Sequence, residues 1–180
     1  MGRGAEGQSR PATRVARGNQ AGEDLVADEW VRDDYSISTD RSRLDLAVIH
    51  GYLSRSYWAA EIPLETVRRS IEHSLAFGVF HGDRQVGFAR VITDGATFAY
   101  LGDVFVLEEY QGRGLGKWLM EVIMAHPDLQ GLRRWMLATR DAHELYPQFG
   151  WTAVEKPESL MQILVPDIYR RSGPDRKSVV

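Results

Sequence analysis

The sequence predicts an α/β fold of the mixed α+β type, in which a central mixed β-sheet is flanked by helices. Three observations lead to this prediction. The chain has 180 residues, of which 43% are hydrophobic, enough for one domain with a substantial core. Its apolar residues switch between the two-residue period of strands and the longer period of helices. An apolar strand in the middle of the chain also runs directly into a glycine-rich turn and a helix.

The first half of the predicted domain contains a strand, two helices and a hairpin. The first strand shows two-residue alternation, and Asp40 and Ser42 are candidate caps for the helix that follows. The second helix repeats apolar residues at helical spacing. Gly82 and Asp83 form a turn signal between two apolar runs, which predicts a hairpin. In chain order these elements cover residues 35–39, 44–53, 64–75, 76–80 and 86–92.

The second half starts with the central strand. The next helix places Leu115, Leu119 and Ile123 on one face. Asp141 and Glu144 have the spacing of a capping box, which predicts a short fourth helix. A last, mostly apolar run predicts a final strand. In chain order these elements cover residues 97–107, 115–123, 132–139, 142–146 and 160–165.

Basic tails flank the predicted domain. Residues 1–24 are rich in small and polar residues without apolar periodicity, so we predict a disordered basic N-terminal tail. Residues 170–180 are predicted to be a basic C-terminal tail, which leaves residues 35–169 as the domain. The net charge of −3 therefore conceals an acidic middle, which favours cationic or amine substrates. Nucleic acid is not an expected partner.

Several classes of protein are not expected. The chain has no cysteine, so it has no disulfide, thiolate nucleophile or cysteine metal site. Its histidines show no metal-binding spacing, and we expect no metal. We find no apolar run long enough for a transmembrane helix and no apolar segment typical of a signal peptide, so no membrane association and a cytoplasmic location are expected.

The glycine-rich turn predicts an anion site. The first turn of a helix has N–H groups without partners and carries a partial positive charge. Gly112, Gly114 and Gly116 have no Cβ atom, so a phosphate can approach those donors. The order of the glycines does not match the G-x-G-x-x-G fingerprint of dinucleotide sites. Trp118 follows Gly116-Lys117 where a P-loop has Ser or Thr, so that class is also excluded.

This segment resembles the acyl-CoA motif of the GNAT superfamily of N-acetyltransferases. The motif is Val, four residues, Gln or Arg, then x-x-Gly-x-Gly or Ala, and the chain supplies Val106, Gln111, Gly114 and Gly116 in register. A second family segment, a strand followed by a short helix with a tyrosine, matches residues 135–151. The resemblance covers about residues 35–166, and it implies the GNAT acyl-CoA N-acyltransferase fold.

The resemblance implies that acetyl-CoA is the co-substrate and that an amine attacks it directly. The family pattern implies that backbone amides of the glycine turn bind the pyrophosphate, and that the end of the central strand pairs with the pantetheine arm. The N–H of Val106 would then polarise the thioester carbonyl, and Arg113 and Lys117 would add charge near the phosphates. Thr139 stands where many relatives have a pantetheine-binding Asn. The implied cofactor-binding residues are Val104, Phe105, Val106, Gln111, Gly112, Arg113, Gly114, Leu115, Gly116, Lys117 and Thr139.

Two residues are candidates for catalysis. Tyr146 matches the family tyrosine that protonates the leaving thiolate, although Pro147 directly after it disfavours an α-helical conformation. Tyr100 stands where some members of the family carry a Glu that acts as the general base. Asp103 is the nearest carboxylate on the same strand, and it is either the general base or a structural carboxylate. A chain of water molecules is a third way to remove the amine proton.

Three functions agree with these observations. The first is an N-acetyltransferase that acts on a primary amine of a small molecule, with an acceptor pocket built around Tyr52, Tyr57 and Trp58. The second is a protein acetyltransferase that acts on lysine or an N-terminus. The third is a non-catalytic sensor that binds acetyl-CoA. A homodimer is compatible with all three, since dimers are common among GNAT proteins.

Overall fold

The protein contains a seven-stranded sheet within the part of the chain that the structure describes, residues 13–17 and 27–170 of a computed structural model. The strands are β1 Thr13–Arg17, β2 Ala27–Arg32, β3 Tyr35–Ser38, β4 Leu75–His81, β5 Arg84–Thr93, β6 Phe98–Val106 and β7 Arg134–Met136. The α-helices in this part are α1 Leu46–Leu53, α2 Leu64–Glu72 and α3 Leu115–Ala125. The strands follow each other in chain order across the sheet, and each neighbouring pair is antiparallel except β6 and β7, which are parallel.

Helices cover both faces of the sheet. On one face, α1 and α2 pack residues such as Ile49 and Val67 against Phe88 of β5 and Phe105 of β6. On the other face, α3 packs Trp118 and neighbouring residues against the sheet. The strand residues in this second core alternate along the strands with those of the first core. Successive residues of a strand point to opposite faces, which explains why the same strands supply two separate cores. The predicted mixed sheet flanked by helices is confirmed.

Helix α1 starts later than the sequence predicts. Asp45 is its N-cap, and the carboxylate accepts hydrogen bonds from the N–H groups of Ala47 and Val48 at 2.9 and 3.1 Å. The predicted cap Asp40 instead starts a short 3-10 helix by accepting from the N–H of Ser42. A carboxylate at the first turn satisfies N–H groups that have no partner in the helix. The cap therefore explains why α1 begins at residue 46 rather than 44.

The N-terminal prediction is wrong for one segment. The backbone of β1 Thr13–Arg17 pairs antiparallel with β2, although both segments lie outside the predicted domain and the first was assigned to a disordered tail. These short strands lack the alternating apolar pattern on which the prediction depended. The rest of that predicted tail, residues 1–12 and 18–24, lies outside the described residues, as do residues 171–180 of the C-terminal tail.

The region after α3 differs most from the prediction. Strand β7 has three residues, and the predicted fourth helix is absent, because residues 143–145 form a turn that leads into a 3-10 helix, Tyr146–Phe149. Pro147 has no N–H and disfavours an α conformation before it, which accounts for the change. The predicted strand over residues 160–165 is also absent. Met161 and Ile163 are both 98% exposed there, since no strand in the described residues pairs with them.

Candidate active site

The central strand β6 is bent by a bulge near its C-terminal end. Phe88 of β5 lies opposite Phe105, but Arg90, two residues later, lies opposite Gly102, so β6 has one extra residue here. Asp103 lies in the bulge with a φ of 55°, a left-handed conformation that is rare for residues other than glycine. The bulge shifts the alternation of the side chains by one residue. The residues after it therefore point to the opposite faces from those expected by counting from the start of β6.

The Asp103 carboxylate is held by two partners. One oxygen accepts from Nε of Arg90 at 2.5 Å, and the other accepts from Nε1 of Trp58 at 3.1 Å. The Asp103 side chain is only 11% exposed. These contacts join the loop after α1 to both β5 and β6. Of the two predicted roles for Asp103, they favour that of a structural carboxylate, because each of its oxygens is bound by a side chain from another segment.

A groove of about 500 Å³ lies along the open edge of β6. The parallel pairing with β7 ends at Tyr100 and Met136, whereas β6 continues to Val106. The two strands separate beyond that point, and among the described residues no strand pairs with the backbone of β6 on this side. We call this space the β6 groove. It is lined by Tyr52, Val104, Phe105, Val106, Tyr110, Gln111, Gly112, Gly114, Leu115, Gly116, Asp141, Ala142, Leu145 and Tyr146.

Val106 presents its backbone to the β6 groove. The N–H of the next residue, Leu107, donates to the carbonyl of Val86 in β5 at 2.8 Å. Backbone groups of successive strand residues point to opposite sides, so the N–H of Val106 points away from β5, toward the groove. The carbonyl of Val106 already accepts from the side-chain amide of Gln111 at 2.9 Å. Gln111 therefore positions the strand end, and the N–H of Val106 stays available as a donor.

The glycine turn leaves the start of α3 open. Gly112 and Gly114 have φ angles of 74° and 77°, which L-residues rarely adopt. Gly114 is the N-cap of α3, and no side chain caps the helix. A Cβ atom built on Gly116 would meet no protein atom within 4 Å. The N–H groups of the first turn therefore face free space at the positive end of the helix, the arrangement that suits a phosphate.

The two basic residues of this turn differ. The Arg113 guanidinium donates to the hydroxyl of Tyr35 at 3.0 Å and to the carbonyl of Glu109 at 2.9 Å, and it lies over the ring of Tyr110. These contacts stabilise the turn, and the Arg113 side chain does not line the β6 groove. Lys117 is exposed on the first turn of α3. Lys117 does not line the β6 groove either, but its side chain has no partner among the described residues that would hold it away from a bound phosphate.

Tyr146 lies where the β6 groove meets a second cavity. It is 9% exposed, and its ring packs edge-on against Trp151 at 6.0 Å. Burial raises the pKa of the Tyr146 hydroxyl, and the nearby Tyr57 and Asp141 raise it further. No group within the described residues hydrogen-bonds this hydroxyl. At neutral pH it is therefore protonated and able to donate into the groove.

Thr139 is not in the β6 groove. It lines the second cavity, of about 350 Å³, which also includes Trp135, Trp151 and Tyr146. The Thr139 hydroxyl accepts from the N–H of Ala142 at 3.0 Å, a contact that supports the turn leading to Tyr146. Eight of the eleven predicted cofactor-binding residues line the β6 groove, whereas Arg113, Lys117 and Thr139 do not.

A third cavity, of about 600 Å³, adjoins the β6 groove. We call it the aromatic cavity. Its lining consists of Tyr52, Arg55, Ser56, Tyr57, Trp58, Leu107, Glu108, Glu109, Arg140 and Asp141. Tyr52 and Asp141 line both spaces, and Tyr52 stacks on Phe105 of β6 with 3.9 Å between ring centroids. The aromatic residues were predicted, but the charged ones were not, since they come from three separate segments.

Two further surveys complete the description of the site. Among the residues that the structure describes, there is no group of three or more potential metal ligands. No helix in the part of the chain that the structure describes is long and apolar enough to cross a membrane.

Comparison with known proteins identifies the family. The acetyltransferase (GNAT) family matches residues 29–151. A Gibberella zeae protein named a "putative acetyltransferase" is 35% identical over 140 residues, 65% of this chain and 78% of that protein. A Prochlorococcus marinus protein named an uncharacterized N-acetyltransferase is 32% identical over 131 residues, 69% of this chain and 72% of that protein.

The fold comparison agrees. A Xanthomonas campestris crystal structure described as a "putative acetyltransferase belonging to the GNAT family" is 59% identical, covers 75% of this chain and 96% of its own, and has a TM-score of 0.73. The matched region contains β6, the glycine turn and Tyr146, the parts from which the β6 groove is built. The chain therefore belongs to the GNAT family of acetyltransferases, whose members use acetyl-CoA as co-substrate.

Proposed function

We propose that the protein transfers the acetyl group of acetyl-CoA to a primary amine of a small molecule. The observation that carries this proposal is the joining of two spaces. The β6 groove, with its open helix start and its free strand edge, suits an acyl-CoA. The aromatic cavity meets it at Tyr52 and Asp141, where an acceptor would reach the acyl group. A relative with 32% identity is named an N-acetyltransferase, which supports an amine acceptor.

Acetyl-CoA would be held mainly by the backbone. The pyrophosphate would accept hydrogen bonds from N–H groups between Gly112 and Lys117, where the missing Cβ of Gly116 leaves room for it. The pantetheine arm would lie against the free edge of β6 at Val104 and Val106. Lys117 would contribute its charge from the side, and Gln111 would act by holding the carbonyl of Val106.

The reaction would proceed by direct attack. The nitrogen of the neutral amine forms a bond to the thioester carbonyl carbon, and the N–H of Val106 stabilises the oxygen as it becomes negative. The C–S bond then breaks, the acetyl group stays on nitrogen, and the CoA thiolate takes the proton of the Tyr146 hydroxyl. The raised pKa of Tyr146 keeps that proton in place until the thiolate forms. An acceptor that is bound as an ammonium first loses one proton to solvent in the aromatic cavity, and its nitrogen loses a second proton to solvent as the C–S bond breaks. Solvent then returns a proton to the Tyr146 phenolate.

The volume of the aromatic cavity supports a small acceptor. At about 600 Å³ it is within the range of small-molecule sites. Aromatic side chains form one wall, where Tyr57 and Trp58 meet edge to face at 4.9 Å. A lysine in a protein would enter such a cavity only with its side chain, and the charged groups of the lining would then have no partner. A small molecule can satisfy them directly.

Calorimetric titration with acetyl-CoA, and in parallel with NAD and ATP, tests the proposal first. Micromolar binding of acetyl-CoA alone is expected. Thiol release with a panel of small amines and with a lysine-containing peptide then tests the acceptor. Turnover of small amines supports the proposal, whereas turnover of the peptide alone points to a protein acetyltransferase. Binding without any turnover points to a sensor, and no binding of acetyl-CoA would overturn the assignment of the β6 groove.

A further inference from the structure

The aromatic cavity contains charges of both signs that have no ion-pair partner. Arg55 and Arg140 line it, and so do Glu108 and Asp141, yet none of the four forms a salt bridge with any described residue. The remaining carboxylate of the lining, Glu109, is paired with Arg84 at 2.8 Å. The cavity thus presents two positive and two negative groups to whatever enters it.

Some exposed arginines of the described residues form ion pairs, and others, such as Arg69, do not. Arg68 contacts Glu65 and Glu72 on the same helix, and Arg170 contacts Glu61 at 3.1 Å. These pairs lie on the exposed surface, where a carboxylate is within reach of the arginine. What distinguishes the four groups of the aromatic cavity is that they line one space together, with charges of both signs.

Arg140 is held in a defined position. Its guanidinium lies 3.8 Å from the centre of the Tyr57 ring, and its backbone N–H donates to the Tyr57 hydroxyl at 3.1 Å. A guanidinium stacked on an aromatic ring keeps its N–H groups free at the edge of its plane. This geometry prepares Arg140 to bind a carboxylate or phosphate, because little conformational freedom remains to be lost.

Both signs of charge act on the same point of the cavity. Burial raises the pKa of the Tyr52 hydroxyl, the negative charges of Glu108 and Asp141 raise it further, and the positive charge of Arg55 lowers it. All three charges are therefore close to Tyr52, which lines the aromatic cavity and the β6 groove. Asp141 also lines both spaces, whereas Arg55 and Arg140 line only the aromatic cavity.

We propose that the acceptor is a small amine that also carries an anionic group, a carboxylate or a phosphate. Asp141 binds the ammonium end beside the β6 groove, and Arg55 and Arg140 bind the anionic end. This inference rests on the proposed function, since it names the class of amine that the same site accepts. The polarity places the nitrogen near the thioester and the anion away from it, so the substrate enters in one orientation.

Paired substrates test the proposal. An amino acid is compared with the amine that it gives on decarboxylation, and phosphoethanolamine is compared with ethanolamine, so that the two anionic groups are distinguished. A charge-assisted hydrogen bond contributes about 1.5–3 kcal/mol, so we expect kcat/KM to be about 10- to 150-fold higher for the anionic member of at least one pair. Equal rates within both pairs would overturn the proposal.

Variants locate the effect. Arg55→Gln and Arg140→Gln should raise the KM for the anionic amine about tenfold or more, leave the KM for acetyl-CoA unchanged, and reduce the preference within each pair. Arg69→Gln, which removes an exposed arginine of α2 outside the cavity, is the matched control. A rise in the KM for acetyl-CoA instead would assign these arginines to the CoA phosphates and overturn the proposal.

A binding measurement separates this proposal from the proposed function. The amines that carry an anionic group and the counterparts that lack it are titrated by calorimetry into the wild-type protein saturated with CoA. Preferential binding of the anionic member, lost in Arg140→Gln, would support the inference even if turnover were too slow to detect. Binding of acetyl-CoA together with equal, weak binding of both members would leave the proposed function standing and reject the inference.

Discussion

The β6 groove and the aromatic cavity adjoin each other, but they are built from different parts of the chain. The groove consists largely of backbone, namely the free edge of β6 and the first turn of α3, both within residues 104–117. The aromatic cavity consists of side chains from segments 52–58, 107–109 and 140–141. A site made of backbone in one short segment leaves a readable pattern of glycines, whereas a site assembled from distant side chains does not.

The largest expected effect is at Tyr146 in the β6 groove. Tyr146→Phe removes the hydroxyl that we assign as the proton donor, so kcat should fall about 10²- to 10⁴-fold with little change in acetyl-CoA affinity. Because burial raises the pKa of Tyr146, the wild-type enzyme should lose activity at high pH only above the usual tyrosine value of 10.0, and the variant should lack this alkaline decline. Steady-state kinetics across the pH range measures both.

The matched control is Tyr169→Phe, which removes a hydroxyl from a half-buried tyrosine that lines neither space. An unchanged kcat in Tyr146→Phe would remove the acid role and leave proton transfer to water. A large loss of acetyl-CoA affinity would instead show that Tyr146 belongs to the groove as a packing residue.

The next effect separates binding from folding in the β6 groove. Gly116→Ala adds one methyl group that meets no protein atom, so the α3 helix should become more stable by about 0.5–1 kcal/mol. The same methyl group would occupy the space that we assign to the pyrophosphate, and acetyl-CoA affinity should fall about 10- to 100-fold, or about 1.4–2.8 kcal/mol. Calorimetric titration and urea denaturation measure the two quantities.

Gly51→Ala is the control for that change. Gly51 lies within α1, and a Cβ there also meets nothing within 4 Å. It should stabilise the protein similarly without affecting acetyl-CoA. Equal affinity in the two variants would show that the free space at Gly116 does not receive a ligand, and the comparison between a backbone groove and a side-chain cavity would lose its basis.

Asp103→Asn tests whether a residue next to both spaces acts in catalysis or in structure. The substitution removes the charge that pairs with Arg90 and keeps an acceptor for Trp58, so the free energy of unfolding should fall by about 1–3 kcal/mol. Catalysis by the folded variant should change less than tenfold, because we assign the Asp103 carboxylate a structural role and not that of the base. Denaturation and kcat/KM measured against pH distinguish the two roles.

Glu121→Gln is the matched control, since it breaks the more exposed ion pair with Arg32, for which about 0–1 kcal/mol is expected. A loss of more than 100-fold in kcat/KM for Asp103→Asn, with a shifted pH profile and unchanged stability, would identify Asp103 as the general base.

The sequence predicted the parts of the molecule where local pattern and tertiary structure agree. The hairpin of β4 and β5, the three α-helices and the strand–turn–helix at Gly114 all appear, with ends displaced by a few residues. The prediction failed where a distant partner decides. β1 and β2 form by pairing with each other, without the expected apolar alternation. Residues 160–165 are mostly apolar, as expected of a strand, but no strand of the described residues pairs with them.

The site shows the same division. Gly112, Gly114 and Gly116 were found because their spacing is itself the binding feature. The partners of Asp103 could not be found, since Arg90 and Trp58 are 13 and 45 positions away. The bulge that brings them together depends on the register of β5 and β6. The sequence did not indicate that the four charged residues of the aromatic cavity belong to one site, because they come from three separate segments.

The smallest effect is expected at the end of β6 farthest from both spaces. The Asp94 carboxylate accepts from the Thr97 hydroxyl and from the N–H groups of Ala96, Thr97 and Phe98, which lowers its pKa. A carboxylate with a lowered pKa stabilises the folded state above its unfolded pKa of about 4, and this contribution is lost as the pH falls below that value. Asp94→Ala should therefore be less stable than wild type at pH 7, and the difference should shrink in acid.

Acetyl-CoA affinity at pH 7 should not change, because the turn over residues 93–97 touches neither the β6 groove nor the aromatic cavity. Urea denaturation at several pH values measures the first quantity and calorimetry the second. A fall in affinity would mean that the register of β6 is transmitted along the whole strand to Val106, and the groove would then depend on distant contacts as much as the cavity does.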